Sequence, residues 1–294
     1  MVEAGHEAAV VGLNKRDAAG SGAAALRPVR GVIGRLTGAE FEHRRLLPIK
    51  ALRERIEHFW WVRWHGADAR RVSTLPHPCV HWSFEASGAA LGGVHTRRWE
   101  RQLDADGEGL EIKFLPAGFR AQWTRPMHTL VDTRLDAELL PELGFGRDLR
   151  ERLFGVGAER TRPARFAAAV DCTQERLLEG LAPADPRAVK INAALLLASE
   201  DRRLLRAQDW AEVCGHSLRS WQRMLREMVG VGPKWILARY RLHEALQRLQ
   251  QGEAEDLSAV AADYGYADAA HFSRVCRRVL GMSPSALRGT QGVR

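Results

Sequence analysis

The sequence predicts an α+β protein with a β-rich N-terminal half, a helical connector and an all-α C-terminal domain of two helix-turn-helix units. Three observations carry this. Apolar residues recur with period two from about Leu26 to Leu140. They recur with helical period from Arg147 onward. The C-terminal helical pattern then occurs twice, 51 residues apart. At 294 residues two domains are the default expectation. The expected boundaries are a tail over 1–26, a β-rich domain over 27–145, a helical connector over 146–203 and an all-α domain over 204–290.

The first segment, "EAGHEAAVVGLNKRDAAGSGAAA", is Ala/Gly-rich and polar, and the first aromatic is Phe41. It reads as a disordered tail or an over-long start, without the apolar core of a signal peptide.

The β-rich half follows. "EHFWWVRWH" is a dense aromatic strand. In "CVHWSFE", Val80, Trp82 and Phe84 alternate with His81, Ser83 and Glu85. "ALGGVHTRRW", "LEIKFL" and "LVDTRL" complete a series of short strands separated by Gly, Asp and Pro clusters, the pattern of a sandwich or small barrel. His77, Cys79 and His81 alternate, so an extended chain puts an imidazole, a thiol and an imidazole on one face, with Glu85 further along and His95 on a neighbouring segment. Such a set suits a borderline metal. Pro76 and Pro78 interrupt the strand, however, and no metal or other cofactor is expected. Trp60, Trp61, Trp64 and Trp82 line a pocket or, by base rate, fill a core.

The connector reads as helices: "RDLRERLFG", "RPARFAAAVDCTQERLLEGL" and "RAVKINAALLLASE", with "LAPADP" breaking the last two. Nothing in it names a switch residue.

In the C-terminal third, Phe272, Val275, Cys276, Val279 and Leu280 form the buried stripe of a helix that Asp268 caps. Ala270, Ser273, Arg274 and Arg277 fall on another face, and Gly265 makes the preceding turn after a short helix carrying Leu257, Val260, Ala261 and Tyr264. Fifty-one residues earlier, Ser217 takes the cap and Trp221, Met224, Leu225, Met228 and Val229 take the stripe. Arg219, Gln222, Arg223 and Arg226 take the outer face, and Gly230 and Pro233 match Gly281 and Pro284. Gly215 makes the turn, after a helix expected to bury Trp210, Ala211 and Val213. The units, 204–233 and 253–284, are joined by a helix over 234–249, roughly 22 Å long. A stiff spacer of this kind presents two helices to successive major grooves, one turn of about 34 Å apart.

"WAEVCGHSLRSWQRMLREMVGVGPKWILARYRLHEALQRL" and "LSAVAADYGYADAAHFSRVCRRVLGMSPSALR" resemble the two halves of an AraC/XylS-family DNA-binding domain. The resemblance spans about Leu204 to Arg288 and is sharpest in G-Y-x-D-x-x-H-F-S-R-x-x-R-R-x-x-G-x-S-P. It implies a transcription regulator that needs no catalytic group, with double-stranded DNA and RNA polymerase as partners. It also implies a small-molecule effector sensed by the N-terminal half, and a homodimer as one arrangement. "LPHPCVHWSFE" and "KFLPAGF" resemble the cupin-like sensing domains of such regulators, although Phe119, Arg120, Ala121 and Gln122 stand where a cupin-like metal site needs histidine.

Family resemblance and local chemistry agree on the reading faces. Arg219, Gln222 and Arg223 read bases in the first unit, where Arg suits guanine and Gln suits adenine. Ala270, Ser273 and Arg274 hold those positions in the second. Family members often carry "SDQSHF" where this chain has "ADAAHF", so Ala269 and Ala270 leave the second unit fewer hydrogen-bonding groups and weaker discrimination. Arg226, Lys234, Arg277, Arg278 and Arg288 are assigned to phosphate. His271 touches backbone or packs between helices, and Tyr240, Arg241 and His243 on the spacer receive no role.

Formal net charge is +8; from Asp201 onward 15 Lys and Arg face 10 Asp and Glu, a surplus suited to specific duplex binding with counterion release. Cys79, Cys172, Cys214 and Cys276 stand far apart without C-x-x-C, the usage of reduced cytoplasmic thiols. No run of 18 apolar residues exists to span a membrane. No P-loop, G-x-G-x-x-G or Ser/His/Asp constellation is visible. Two alternatives stay open. One is a cupin-type metalloenzyme or a DNA-repair alkyl transferase fused to a helix-turn-helix; repair needs a nucleophilic Cys in a tight Cys/His setting or a four-Cys zinc site, and neither is legible. The other is an interaction module that has lost DNA binding.

Overall fold

The computed structural model describes residues 32–33, 41–65, 70–103, 106–140, 146–154, 162–251 and 256–287. The expected tail over 1–26 and Arg288 lie outside them. The α+β class holds: antiparallel sheets come first and helices after. The strands are β1 (Val32–Ile33), β2 (Phe41–Leu46), β3 (Ile56–His65), β4 (Arg70–Thr74), β5 (His81–Glu85), β6 (Gly88–Gly92), β7 (Trp99–Leu103), β8 (Asp106–Phe114) and β9 (Arg134–Asp136). They form a six-stranded sheet in the order β2-β3-β8-β5-β6-β9 and a three-stranded sheet in the order β1-β4-β7.

Period two sorts the large sheet into two faces. Phe59 and Trp61 of β3, Trp82 and Phe84 of β5, and Leu110, Ile112 and Phe114 of β8 form the core. Trp60, Val62, Trp64, His81, Ser83, Glu85, Glu111 and Lys113 face the other way, toward Val72, Trp99 and Leu103 of the small sheet, and line a cavity. The expected tryptophan cluster therefore divides, with Trp61 and Trp82 in the core and Trp60 and Trp64 on the cavity wall. This cupin-like arrangement of two sheets around a hollow is what the alternation in the sequence specifies.

Two expected strands differ. "ALGGVHTRRW" is the end of β6, a loop and the start of β7, because a Cβ on Gly93 would lie 1.7 Å from the Leu130 carbonyl oxygen and the chain must turn away there. "LVDTRL" is mostly a turn, with Asp132 at φ 55° and only Arg134–Asp136 paired to β6.

The helices are α1 (Gly146–Phe154), α2 (Arg162–Gly180), α3 (Pro186–Glu200), α4 (Ala207–Val213), α5 (Leu218–Met228), α6 (Pro233–Gln250), α7 (Leu257–Asp263), α8 (Ala269–Leu280) and α9 (Pro284–Leu287). The connector divides between two cores. Leu149, Leu153, Phe166, Val170 and Leu177 of α1 and α2 complete the core of the large sheet. Ala188, Ile191, Leu195 and Ala198 of α3 instead join Trp210, Trp221 and Leu225. The break falls at "LAPADP", where Asp185 caps α3 by accepting the Arg187 N–H at 2.8 Å.

The spacer α6 belongs to both helix-turn-helix units. Its first half gives Ile236 and Leu237 to the first unit's core, and its second half gives Leu242, Ala245, Leu246 and Leu249 to the second. At 18 residues it is about 25 Å long.

Candidate nucleic-acid interface

Each unit is a short helix, a glycine turn and a longer amphipathic helix: α4 and α5 in the first, α7 and α8 in the second. The turns require glycine, since Gly215 has φ 73° and Gly265 φ 68°, where a side chain is strained. Ser217 caps α5 by accepting the Ser220 N–H at 3.2 Å, and Asp268 caps α8 by accepting the His271 N–H at 2.5 Å. Gly281 ends α8 in the left-handed conformation at φ 74°.

The inner faces bury the expected stripes. Trp221, Leu225 and Met228 of α5 and Phe272, Cys276 and Leu280 of α8 are fully enclosed, with Trp210 edge-on to Trp221 at 5.2 Å. One stripe position is corrected: Val213 is 61% exposed. Trp210 and Ala211 set the centre of the stripe, and Cys214, one turn beyond Trp210, lies closer to that centre than Val213 does. His271 is a packing residue; its Nδ1 accepts the Ala267 N–H at 3.2 Å and its ring meets Tyr266 edge-on.

On the outer faces, Arg219, Gln222, Arg223 and Arg226 of α5 are exposed, as are Ala270, Arg274, Arg277 and Arg278 of α8 and Lys234 of α6. Ser273 is half-buried. Among the described residues, none of the six arginines on α5 and α8 makes an ion pair. Elsewhere the pattern is the reverse: Arg202 pairs with Glu244 at 3.1 Å, Arg203 with Asp201 at 2.9 Å and Arg206 with Asp209 at 2.7 Å. Glu227, the one acid on α5, is drawn to Arg187 at 3.3 Å. The chain thus neutralises its surface around the units and leaves cations uncompensated on the two faces that the sequence assigns to DNA.

The units are docked on the N-terminal half. Val94 and Ala117 enter the first unit's core and Leu75 the second's. Arg239 of α6, 4% exposed, donates to the Thr96 carbonyl at 2.6 Å and stacks on Trp235. Burial lowers this guanidinium to about 10, although Asp132 acts in the opposite direction. Arg98 donates to the Leu280 carbonyl at the end of α8, and Gly230 after α5 packs against Met127 and Val131. The 93–98 loop and the 127–132 turn therefore touch the C-terminal ends of both α5 and α8.

The cavity has a volume of about 470 Å³. Its walls include aromatic Phe41, Trp60, Trp64 and Trp99, together with Asn192, Leu196 and Ser199 of α3 and Tyr240 and His243 of α6. Tyr240 and His243 have no role that periodicity alone assigns; the signal for the wall they form is two polar aromatic side chains three residues apart on a packed helix. Arg241, beside them, donates to the Gly265 carbonyl at 3.3 Å and so holds the second unit's turn.

Three ion pairs lie on the cavity wall. Lys113 meets Glu57 at 3.1 Å, Arg101 forks onto Glu85, and Glu111 meets His81 Nδ1 at 2.7 Å. Burial raises Glu57, but the Lys113 ammonium and the His58 hydrogen bond outweigh it and hold the carboxyl below the usual range. Burial likewise lowers His81, but Cys79 and Glu111 hold it well above its ordinary value. Of the alternating trio, Cys79 and His81 meet, with Sγ 3.2 Å from Nε2, while His77 stacks on His243 at 3.9 Å. Among the described residues no group of three or more His, Cys, Asp or Glu has metal-ligand spacing. The tight Cys/His setting that was not legible in the sequence is present.

Residues 210–290 match a family profile described as a helix-turn-helix domain. The transcriptional activator RhaS of Escherichia fergusonii is 29% identical over 178 residues, 58% of each chain. The C-terminal domain is an AraC-type helix-turn-helix domain. RhaS of Pectobacterium carotovorum is 37% identical over 71 residues, 24% of this chain and 25% of that one. The chain thus spans a little over half the length of the first of these relatives. Residues 44–136 match a domain of unknown function, DUF6597. A solved structure of ToxT from Vibrio cholerae aligns with 86% of this chain and 100% of that one, at 12% identity and a TM-score of 0.43. No helix among the described residues is long and apolar enough to cross a membrane.

Proposed function

We propose that this chain is a sequence-specific, duplex-DNA-binding transcription regulator acting in the cytoplasm, without catalytic turnover. One observation carries the reading: two capped helices on a shared spacer expose arginines that no described acid neutralises. Arg219, Gln222, Arg223, Ala270, Ser273 and Arg274 are assigned to base edges. Arg226, Lys234, Arg277, Arg278 and Arg288 are assigned to phosphates. The relatives are named as activators, and we extend that to this chain, with RNA polymerase as its partner.

The cavity is assigned to a small, largely apolar effector, because its volume and lining suit a small organic molecule. A ligand there bears on Tyr240 and His243 of the spacer and on α3, and the 93–98 loop beside it holds α6 and α8 through Arg239 and Arg98. Occupancy thereby favours one placement of the two units over another.

The test is selection of binding sites from random duplexes with the full chain, at a stated salt concentration. Two short boxes about one helical turn apart support the tandem reading, and a duplicated pair signals a homodimer. No enrichment at low salt leaves a protein-interaction module and ends the proposal.

A further inference from the structure

Cys79, His81 and Glu111 form a connected series on the cavity wall. Cys79 and His81 lie two residues apart where the chain enters β5, and Glu111 projects from β8 on the same face. Glu111 Oε1 is 2.7 Å from His81 Nδ1, and His81 Nε2 is 3.2 Å from Cys79 Sγ. In the neutral imidazole, a carboxylate accepting the Nδ1 proton leaves Nε2 as the acceptor facing the thiol; once Nε2 has taken the thiol proton, the imidazolium lies between carboxylate and sulfur, the arrangement that activates a nucleophilic sulfur. Directly across the strand pair from Glu111 stands Trp60, whose indole Nε1 is shielded from solvent and has no hydrogen-bond partner among the described residues. It is a donor without an acceptor, on the wall of an apolar cavity.

We propose that Cys79 is a reactive thiol that captures a soft carbon electrophile, an α,β-unsaturated carbonyl compound with an aromatic or apolar body, as a covalent adduct inside the cavity. Sγ bonds to the alkene carbon remote from the carbonyl while the alkene π bond breaks. The thiol proton passes to His81 Nε2 and then to the adjacent carbon, so nothing leaves and no oxidant is consumed. Glu111 and His81 are positioning and proton-handling residues; Trp60 is the donor available to the carbonyl oxygen.

The other cysteines do not share this setting. Burial pushes the thiols of Cys172 and Cys214 up, and that of Cys276 up to about 12. They sit on α2, after α4 and on α8, in different packing regions, so none is placed to form a disulfide with Cys79. This favours carbon capture over an oxidative thiol switch. The charged groups facing the Cys79–His81 pair are Glu111 and Lys113 from β8, Glu57 and His58 from β3, and His95 from the loop after β6. Burial disfavours the charged form of His81, but Cys79 and Glu111 outweigh it and hold the imidazole well above its ordinary value.

The proposal rests on the cavity being the effector site, and the test separates the two. Full-length protein is treated with 4-phenylbut-3-en-2-one and followed by intact mass and peptide mapping. One adduct is expected, on Cys79, forming about tenfold or more faster than on half-buried Cys214. Glu111→Gln should slow it about tenfold, and Glu111→Asp, which keeps a carboxylate, should restore part of the rate. Labelling of Cys214 or Cys172 ahead of Cys79 in the unmodified chain overturns the proposal, as does an unchanged rate in a folded Glu111→Gln protein. The saturated analogue 4-phenylbutan-2-one, followed by tryptophan fluorescence, probes the cavity alone. If it binds while the enone forms no adduct, the thiol proposal fails and the effector site survives. An adduct on Cys79 that leaves affinity for the selected duplex unchanged supports the thiol chemistry and removes the effector role.

Discussion

Arg223→Ala tests the base contact proposed for the first unit. Arg223 is exposed on α5 and has no ion-pair partner among the described residues, so its removal breaks nothing that holds the fold. Its thermal midpoint should stay within about 1–2 °C of the parent, as for a surface change of under about 0.5 kcal/mol. The loss falls on binding instead. A bidentate arginine–guanine contact is worth about 1–3 kcal/mol, or roughly 5- to 150-fold in affinity for the selected site. Fluorescence anisotropy against that site, single-base variants and random duplex reads the effect. Preference at one base pair should collapse while affinity for random duplex changes far less. Arg277→Ala is the control: it should weaken every duplex alike and lower the salt slope by about 0.9. If both variants lose affinity equally on selected and random DNA, the division into base and phosphate contacts is wrong.

The remaining predictions concern stability. Asp268→Ala removes the cap on the His271 N–H and should cost about 1 kcal/mol by denaturant unfolding, with affinity falling further as the start of α8 frays. Gly215→Ala should cost about 1 kcal/mol, since φ is 73° and the space around a Cβ is open; Gly265→Ala should cost more, about 1–2 kcal/mol, because Leu205 also lies 2.9 Å from that Cβ. The carboxyls of Glu57 and Glu111 are pulled toward higher values by burial and held below their ordinary 4.5 by Lys113 and His81, respectively. A depressed folded-state value means stability that is present above about pH 4.5 and lost as pH falls below it, visible as a thermal midpoint that falls from about pH 5 downward. Lys113→Met removes the cation that opposes burial at Glu57, so this acid loss should shrink; an unchanged pH profile would show that the pair does not set it.

How far the sequence reached depended on the range of the interaction. Both helix-turn-helix units were legible because their determinants are local: a cap, a stripe, a left-handed glycine and a terminator all lie within about 20 residues and repeat at a fixed offset. Val213 was misplaced where one position of offset on a seven-residue helix separates a buried side chain from an exposed one. The alternation of β5 was equally local, and it sorted Trp82 and Phe84 from His81 and Glu85 before any partner strand was known.

What the chain alone determined was the α+β class, the tandem units and the residues on their outer faces, since periodicity and capping depend on near neighbours. Tertiary structure decided the rest. It split the connector between two cores, made α6 a wall of the cavity through Tyr240 and His243, and brought Glu111 to His81 across 30 residues of sequence. Pairing β5 with β8 sets that last contact, and strand register is a property of the assembled sheet rather than of either strand's residues.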